Sequence, residues 1–211
     1  MSSNPRFSKP AVFLALALLA MSVVVLSNIA SAEFVDIVNS TTANGIAVYA
    51  DTGVATPRYN YFNRTDENFT VQQSGLSVGG NIQWLVTKSS YRRDEFVLVT
   101  EDLNNDLYFQ VMGSNRSFGN GQSIAVDVPN AAYRAYDVVY MDVGDNALIA
   151  YENSTASDRQ VMYRIWNGTG LSQEFNITVP IETPVNWVGL FKQQGTDQIM
   201  MVVLNTLNDL A

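Results

Sequence analysis

The sequence predicts an all-β chain assembled from repeats about 51 residues long, and three observations carry that expectation. Trp84, Tyr136 and Trp187 stand 52 and 51 apart. Asp94, Asp145 and Asp197 stand 51 and 52 apart, each just ahead of an apolar run: EFVLV, NALIAY and QIMMVVL. Phe62, Met112 and Trp166 stand 50 and 54 apart, each closing a run before a polar turn: YFNRT, VMGSN and IWNGT. When aromatic, acidic and turn positions keep one period together, they mark a repeated structural unit. The closing VVLNTLNDLA likewise repeats the interior VTEDLNNDLY, 103 positions later.

Within one period every element reads as strand. NWVGLF and AYDVVYM are continuous apolar runs, as are QIMMVVL and EFVLV. Such runs suit strands covered on both faces. A third strand runs over Met162–Trp166. The fourth alternates: Phe175–Pro180, Ile124–Pro129 and Phe69–Val71. Alternation implies one wet face, and the prolines after Val128 and Val179 suit an outer position because proline donates no ladder bond. Four short strands in every period of about 50 residues describe a β-propeller blade, first strand innermost and fourth on the rim. A β-sandwich would also use short strands but has no reason to repeat at this interval. The units fall at 33–80, 81–131, 132–183 and a half unit at 184–211. Three and a half blades predict an incomplete propeller, either a piece of a longer protein or an arc completed by association, with exposed blade edges prone to pair.

Residues 1–32 read as an export signal. Arg6 and Lys9 give a positive start, Ala11–Leu26 is apolar except for Ser22, and Ala30-Ser31-Ala32 supplies a cleavage pattern. The run of 16 residues falls short of a spanning helix, which needs about 20. Membrane contact is therefore expected only during export or through an uncleaved N-terminus, and the location is secreted or cell surface. Removing Arg6 and Lys9 takes the formal net charge from −8 to −10. An acidic chain repels phosphate backbones, which argues against nucleic acid.

The chain has no cysteine and no histidine. Disulfides are therefore excluded, as are Ser-His-Asp and Cys-His catalysis and the commonest zinc ligands. Any chemistry must run on carboxylates, Tyr, Lys, Arg or an oxygen-bound cation.

The stretch YRIWNGTGLSQEFNITV, following an acidic turn and an apolar strand, resembles blades of secreted β-propeller proteins of the sialidase superfamily. In that family an Asp-box, roughly S-x-D-x-G-x-x-W, occupies the turn between the third and fourth strands. Here that turn holds Asn167-Gly168-Thr169-Gly170-Leu171, and in the second repeat Gly113-Ser114-Asn115-Arg116-Ser117-Phe118. The family's catalytic set is an arginine triad, a Tyr paired with an acid, and an acidic proton donor. Arg58, Arg92, Arg93, Arg134 and Arg164 are present, but none lies in a recognisable motif. The resemblance implies a fold rather than an activity.

Two further patterns bear on sites. Asp102-x-Asn104-x-Asp106 has the spacing of the first three ligands of a calcium loop. Leu107 replaces the expected glycine and no glutamate follows, while Asn and Asp also serve ordinary turns. Asn-x-Ser/Thr sequons occur at Asn39, Asn63, Asn68, Asn115, Asn153, Asn167 and Asn176. Asn63, Asn115 and Asn167 fall in equivalent turns and Asn68 and Asn176 on outer strands, a rim placement that would accommodate N-glycans. Trp84, Tyr136 and Trp187 are expected in the packing between blades rather than on a sugar-binding axis. Three functions remain open: an exported binding or adhesion module for a carbohydrate or protein ligand, a sialidase-like glycoside hydrolase, and a structural surface or filament subunit.

Overall fold

In the computed structural model, which describes residues 29–36, 45–63, 65–90, 92–128, 133–152, 160–180 and 185–205, every regular element is a β-strand. The first sheet runs β1 (Ile29–Asp36), β2 (Gly45–Asp51), β3 (Arg58–Asn63), β4 (Asn68–Phe69), with β5 (Gln73–Ser74) also on β3. The second runs β6 (Ile82–Ser89), β7 (Phe96–Asp102), β8 (Leu107–Met112), β9 (Phe118–Ala125). The third runs β10 (Tyr136–Tyr140), β11 (Ala147–Glu152), β12 (Gln160–Trp166), β13 (Phe175–Thr178). The fourth pairs β14 (Val185–Lys192) with β15 (Ile199–Asn205). Every pairing is antiparallel, and each sheet is a meander in chain order. The first strands of successive sheets adjoin one another, and the described sheets do not close into a ring.

The register explains the period. Gly45 pairs with Phe62, Phe96 with Met112 and Ala147 with Trp166, so the three repeat landmarks occupy one position of the third strand. Side chains alternate across each sheet, and both faces of the middle sheets are covered. Phe96 and Leu98 pack with Ile46, Val48 and Tyr59 of the first sheet. Their neighbours Val97 and Val99 pack with Val138, Tyr140 and Ile149 of the third. This is why β7, buried at every position, opens with the unbroken apolar run Phe96–Val99.

Polar contacts at the turns between first and second strands join the sheets. The buried Asp145 Oδ1 accepts the Ser90 hydroxyl at 2.5 Å and the Arg92 amide at 3.3 Å. One period later, Asp197 Oδ1 accepts the amides of Val143 and Gly144 at 2.9 and 3.0 Å. Asp145 and Asp197 thus reach back to the preceding sheet's turn, whereas Asp94 pairs with Arg116 of its own sheet. Glu95 Oε1 accepts the Tyr140 hydroxyl at 2.6 Å and the Trp166 indole N–H at 3.0 Å, across the same junction. Burial, then the Glu95 charge, raises the Tyr140 phenol far above its usual range. Asp142 and Asp137 bind the fourth sheet, through Lys192 and the amides of Gly195 and Leu190.

The outer strands differ from the sequence expectation. In the second repeat the strand is Phe118–Ala125, not Ile124–Pro129. The tight turn in which the Arg116 amide bonds the Gly113 carbonyl delivers the chain to β8 earlier, and backbone pairing places polar, glycine-containing residues on this rim strand. Val126 consequently lies beyond β9 and is exposed. In the first repeat the outer strand is split into β4 and β5, and Val71 between them is 83% exposed. The position matching Val128 and Val179 is Val78; the three are 1%, 1% and 3% exposed and anchor the chain after each outer strand. β13 is exposed at all four positions, not on one face only. β1 begins at Ile29 and so spans the expected cleavage point after Ala32, with Glu33–Asp36 pairing Val48–Gly45. Residues 1–28, Asn39, Asn153 and Asn208-Asp209-Leu210 lie outside the described residues.

Replacing Asp145 with Ala should destabilise the protein by about 2 kcal/mol, because it leaves the Ser90 hydroxyl and the Arg92 amide without their buried acceptor, while Arg93 keeps Glu95. Urea denaturation would measure it; a change below about 0.5 kcal/mol, the ordinary range of a surface substitution, would contradict this role.

Candidate functional site

A cavity of about 370 Å³ opens between the outer parts of the second and third sheets. Its walls are Ala125 and Val126 from the second sheet and Tyr151, Glu152, Met162, Arg164 and Glu174 from the third. Strand alternation sets this lining. Met162, Arg164 and Trp166 share the face of β12 that meets the second sheet, and Met162 and Trp166 belong to the core there. Arg164 is the polar member of that row.

The Tyr151 hydroxyl donates to Glu174 Oε2 at 2.5 Å and lies 3.4 Å from the Ile124 carbonyl. Arg164 Nε donates to Tyr151 Oη at 3.4 Å, and an outer guanidinium nitrogen stands 3.9 Å from Glu174. Burial first, and the Glu174 hydrogen bond second, push the Tyr151 phenol well above its normal value, so it remains a donor. Arg164 and Glu174 keep 28% and 38% of their side chains exposed, which leaves both able to meet a ligand. On the opposite, fourth-sheet face of β11 Glu152 is 2% exposed; its Oε1 accepts the Val185 amide at 2.6 Å and its Oε2 is buried with no hydrogen-bond partner among the described residues. Burial raises its pKa to about 8.

The equivalent junction between the first and second sheets holds a smaller cavity of about 180 Å³. Gln110, opposite Leu98, stands where Arg164 stands opposite Ile149. Its amide takes the N–H and the carbonyl of Leu76 at 2.8 and 2.9 Å. Gly121 replaces Glu174, and a Cβ there would meet the Leu76 side chain at 2.6 Å. The first junction is filled by Leu76, whereas the second exposes a cation, a carboxylate and apolar walls.

A second set of buried carboxylates follows the repeat. Glu101 matches Glu152, each five residues past the paired Phe96 and Ala147. Glu101 is fully buried, and neither oxygen has a hydrogen-bond partner among the described residues. Burial, then the charges of Asp102 and Glu152, raises its pKa to about 8.

Of the residues singled out in the sequence, Asp102 Oδ1 accepts the amides of Asn104 and Asp106 at 2.8 and 3.1 Å, and Asp106 Oδ1 accepts the Asp127 amide. These are turn contacts, and among the described residues no group of three or more His, Cys, Asp or Glu side chains is arranged to hold a metal ion. Asn63, Asn115 and Asn167 each accept the amide of the sequon's third residue, Thr65, Ser117 and Thr169. The motif therefore closes the turn between third and fourth strands, whatever its modification. Asn68 and Asn176 are exposed on β4 and β13. Tyr136 is fully buried, Trp84 packs against the same core, and Trp187 lies across Gly189, where a Cβ would collide with the indole. Sequence reasoning named Arg164 without a role and did not find Tyr151, Glu152 or Glu174. A charged residue two positions from Met162 and Trp166, on what should be a core face, was the available signal.

No protein-family model matches the chain, and none of the curated proteins does. Among solved structures it is similar to AofleA from Arthrobotrys oligospora. The likeness has a TM-score of 0.51 at 13% identity and covers 85% of this chain and 51% of that one. A variant of AofleA, with three arginines changed to alanine at equal intervals of 53 residues, gives 0.56 at 12% identity over 85% and 53%. The chain spans about half the length of these structures, and at such identity the likeness is one of fold.

The two glutamates predict a stability profile. Their folded pKa values lie above the unfolded value of 4.5, so the folded protein holds these protons more tightly. The stabilisation is complete below about pH 4.5 and is lost as pH rises through about 8. Thermal unfolding should show Tm falling between pH 5 and pH 9, and Glu101→Gln should flatten the fall; a Tm that rises over that range would refute it.

Proposed function

We propose that the chain is an arc of an exported β-propeller that binds carbohydrate in the cleft between its second and third sheets. The observation that carries the binding reading is the Arg164–Tyr151–Glu174 cluster at the mouth of a cavity with Met162 and Val126 as apolar walls. A sugar ring offers adjacent hydroxyls, each both donor and acceptor, beside C–H faces. Arg164 donates, Glu174 accepts, and the apolar walls take the ring face, which is the mixture that fixes a small polar ligand. The propeller reading is supported by the repeat near 51 residues, the meandering sheets with adjoining first strands, and the likeness to AofleA. In the AofleA variant the replaced arginines recur at an interval close to this period, as one arginine per repeat would. Here the described junctions carry one such arginine in a cleft, Arg164, against Gln110 in the other. Export is supported by the N-terminal apolar run and its small-residue cleavage pattern.

Arg164→Ala should lower the response on a glycan array at least about tenfold, as removal of a charged hydrogen-bonding partner costs at least about 1.5 kcal/mol. Gln110→Ala should leave it unchanged. An array on which the unaltered protein gives no signal, or one on which both variants bind alike, contradicts the assignment.

A second reading, a glycoside hydrolase, is favoured by the hydrogen bond of Tyr151 to Glu174, a phenol paired with a part-exposed acid in the cleft. Release of 4-methylumbelliferone from a panel of its glycosides, abolished by Glu174→Gln, is the expected result for that reading; a panel left intact by the unaltered protein removes it.

A further inference from the structure

We infer that the outward face of the first sheet holds a second, weaker carbohydrate-binding site, built on Tyr49, Asn60 and Gln72. This rests on the carbohydrate reading of the cleft, because the second site is recognised by its match to the first.

The match lies in the strand register. Ala47 pairs with Asn60 and Tyr49 with Arg58; in the third sheet Ile149 pairs with Arg164 and Tyr151 with Met162. Tyr49 and Asn60 therefore stand in the places of Tyr151 and Arg164. Tyr59 pairs with Gln73 as Tyr163 pairs with Phe175, which puts Gln72 in the place of Glu174. The bonding follows the positions. The Tyr49 hydroxyl lies 2.7 Å from Gln72 Oε1 and 3.3 Å from Asn60 Oδ1, as the Tyr151 hydroxyl joins Glu174 and Arg164. The second sheet has Thr100, Gln110 and Gly121 at these places, and there Leu76 occupies the space.

Ile46, Val48 and Ala50 face the second sheet, so strand alternation turns Tyr49 and Asn60 the other way, and no described sheet lies over them. Gln72 is exposed, and Tyr49 and Asn60 are half-buried. Asn60 Nδ2 donates to the Thr70 carbonyl at 2.9 Å, which anchors the trio. With its Oε1 held by Tyr49, Gln72 still offers the N–H donors of its amide. Arg58 and Asp51, paired at 2.8 Å beside Tyr49, add a part-exposed donor and acceptor. Phe62, on the same face beyond Asn60, packs against Phe69 at a centroid separation of 5.1 Å and supplies an apolar surface for a ring face. Donors, acceptors and an apolar surface together suit a neutral sugar. Amides replace the cation and the carboxylate of the cleft, so the second site binds about tenfold more weakly, as uncharged hydrogen bonds contribute less than charged ones. The second sheet separates the two sites, so one chain can bridge two glycans, as an adhesion module must.

The experiment is isothermal titration of the full chain with the methyl glycosides of glucose, galactose, mannose and N-acetylglucosamine. A sugar that binds should fill two sites per chain, with Kd values about tenfold apart. Gln72→Ala, a change at an exposed position, should weaken the second site about fivefold and leave the first as it was. Tyr49→Phe, which removes only a hydroxyl, should act in the same direction. Arg164→Ala should weaken the first site and spare the second. Saturation at one sugar per chain, loss of all binding in Arg164→Ala, or Gln72→Ala and Tyr49→Phe variants whose two sites keep their affinities would overturn the inference and leave the cleft assignment standing. No heat with any glycoside from the unaltered protein would overturn the carbohydrate reading itself, and the inference with it.

Discussion

The hydrogen bonds from one sheet's turn to the carboxylate of the next hold this architecture in register. A four-stranded meander satisfies its own backbone but not its two apolar faces, and stacking sheets face to face would leave them free to slide. Asp145 and Asp197 remove that freedom, because a short carboxylate can reach the preceding turn's donors in one relative placement only. Glu95, Tyr140 and Trp166 pin the same second junction further in, through bonds from sheet three to a single buried acid. With the sheets fixed, the alternating faces of β7, β8, β11 and β12 meet as interlocking rows.

On that repeated frame the junctions have diverged. Leu76 and Gly121 are matched: a side chain at 121 would strike Leu76, and Gln110 clamps the Leu76 backbone, so the first junction is occupied by protein. In the second, Glu174 and Arg164 take those places, and Val126, 59% exposed, does not reach across. A repeat protein can thus keep its fold while one junction acquires polar groups suited to a ligand, since each sheet contacts only its neighbours. The contrast between the two junctions, rather than any motif, is what singles out the cleft.

The buried glutamates extend the same logic to the interior. Glu101 and Glu152 stand at the end of the second strand, where the first sheet places Ala50. An alanine there costs nothing to bury, whereas a carboxyl must stay protonated or find donors. Glu152 has found one, the Val185 amide, and with it links the wall of the cleft to the fourth sheet. Sheet-to-sheet cohesion at this point therefore rests on a buried acid, which is why its protonation bears on stability.

The period, the strand order and the burial of β7 and β11 were legible in the chain itself, whereas QIMMVVL, expected to be covered on both faces, forms β15 at the outermost described sheet with Met200 60% exposed. Trp84, Tyr136, Trp187 and the landmarks Phe62, Met112 and Trp166 report local register, which is a property of neighbouring residues in one meander. The outer strands were less legible: β9 forms from FGNGQSIA because the Gly113–Ser117 turn delivers it to β8, against its own weak strand propensity. The cleft was not legible at all. Arg164 and Glu174 follow no spacing rule, and whether they face a cavity or a filled core depends on Leu76 or Val126 in the sheet before them. Composition and periodicity by themselves determined an all-β repeat chain whose middle sheets have second strands covered on both faces. Packing between sheets decided which carboxylates are buried and which junction stays open, because those contacts join residues a repeat apart and leave no periodic trace.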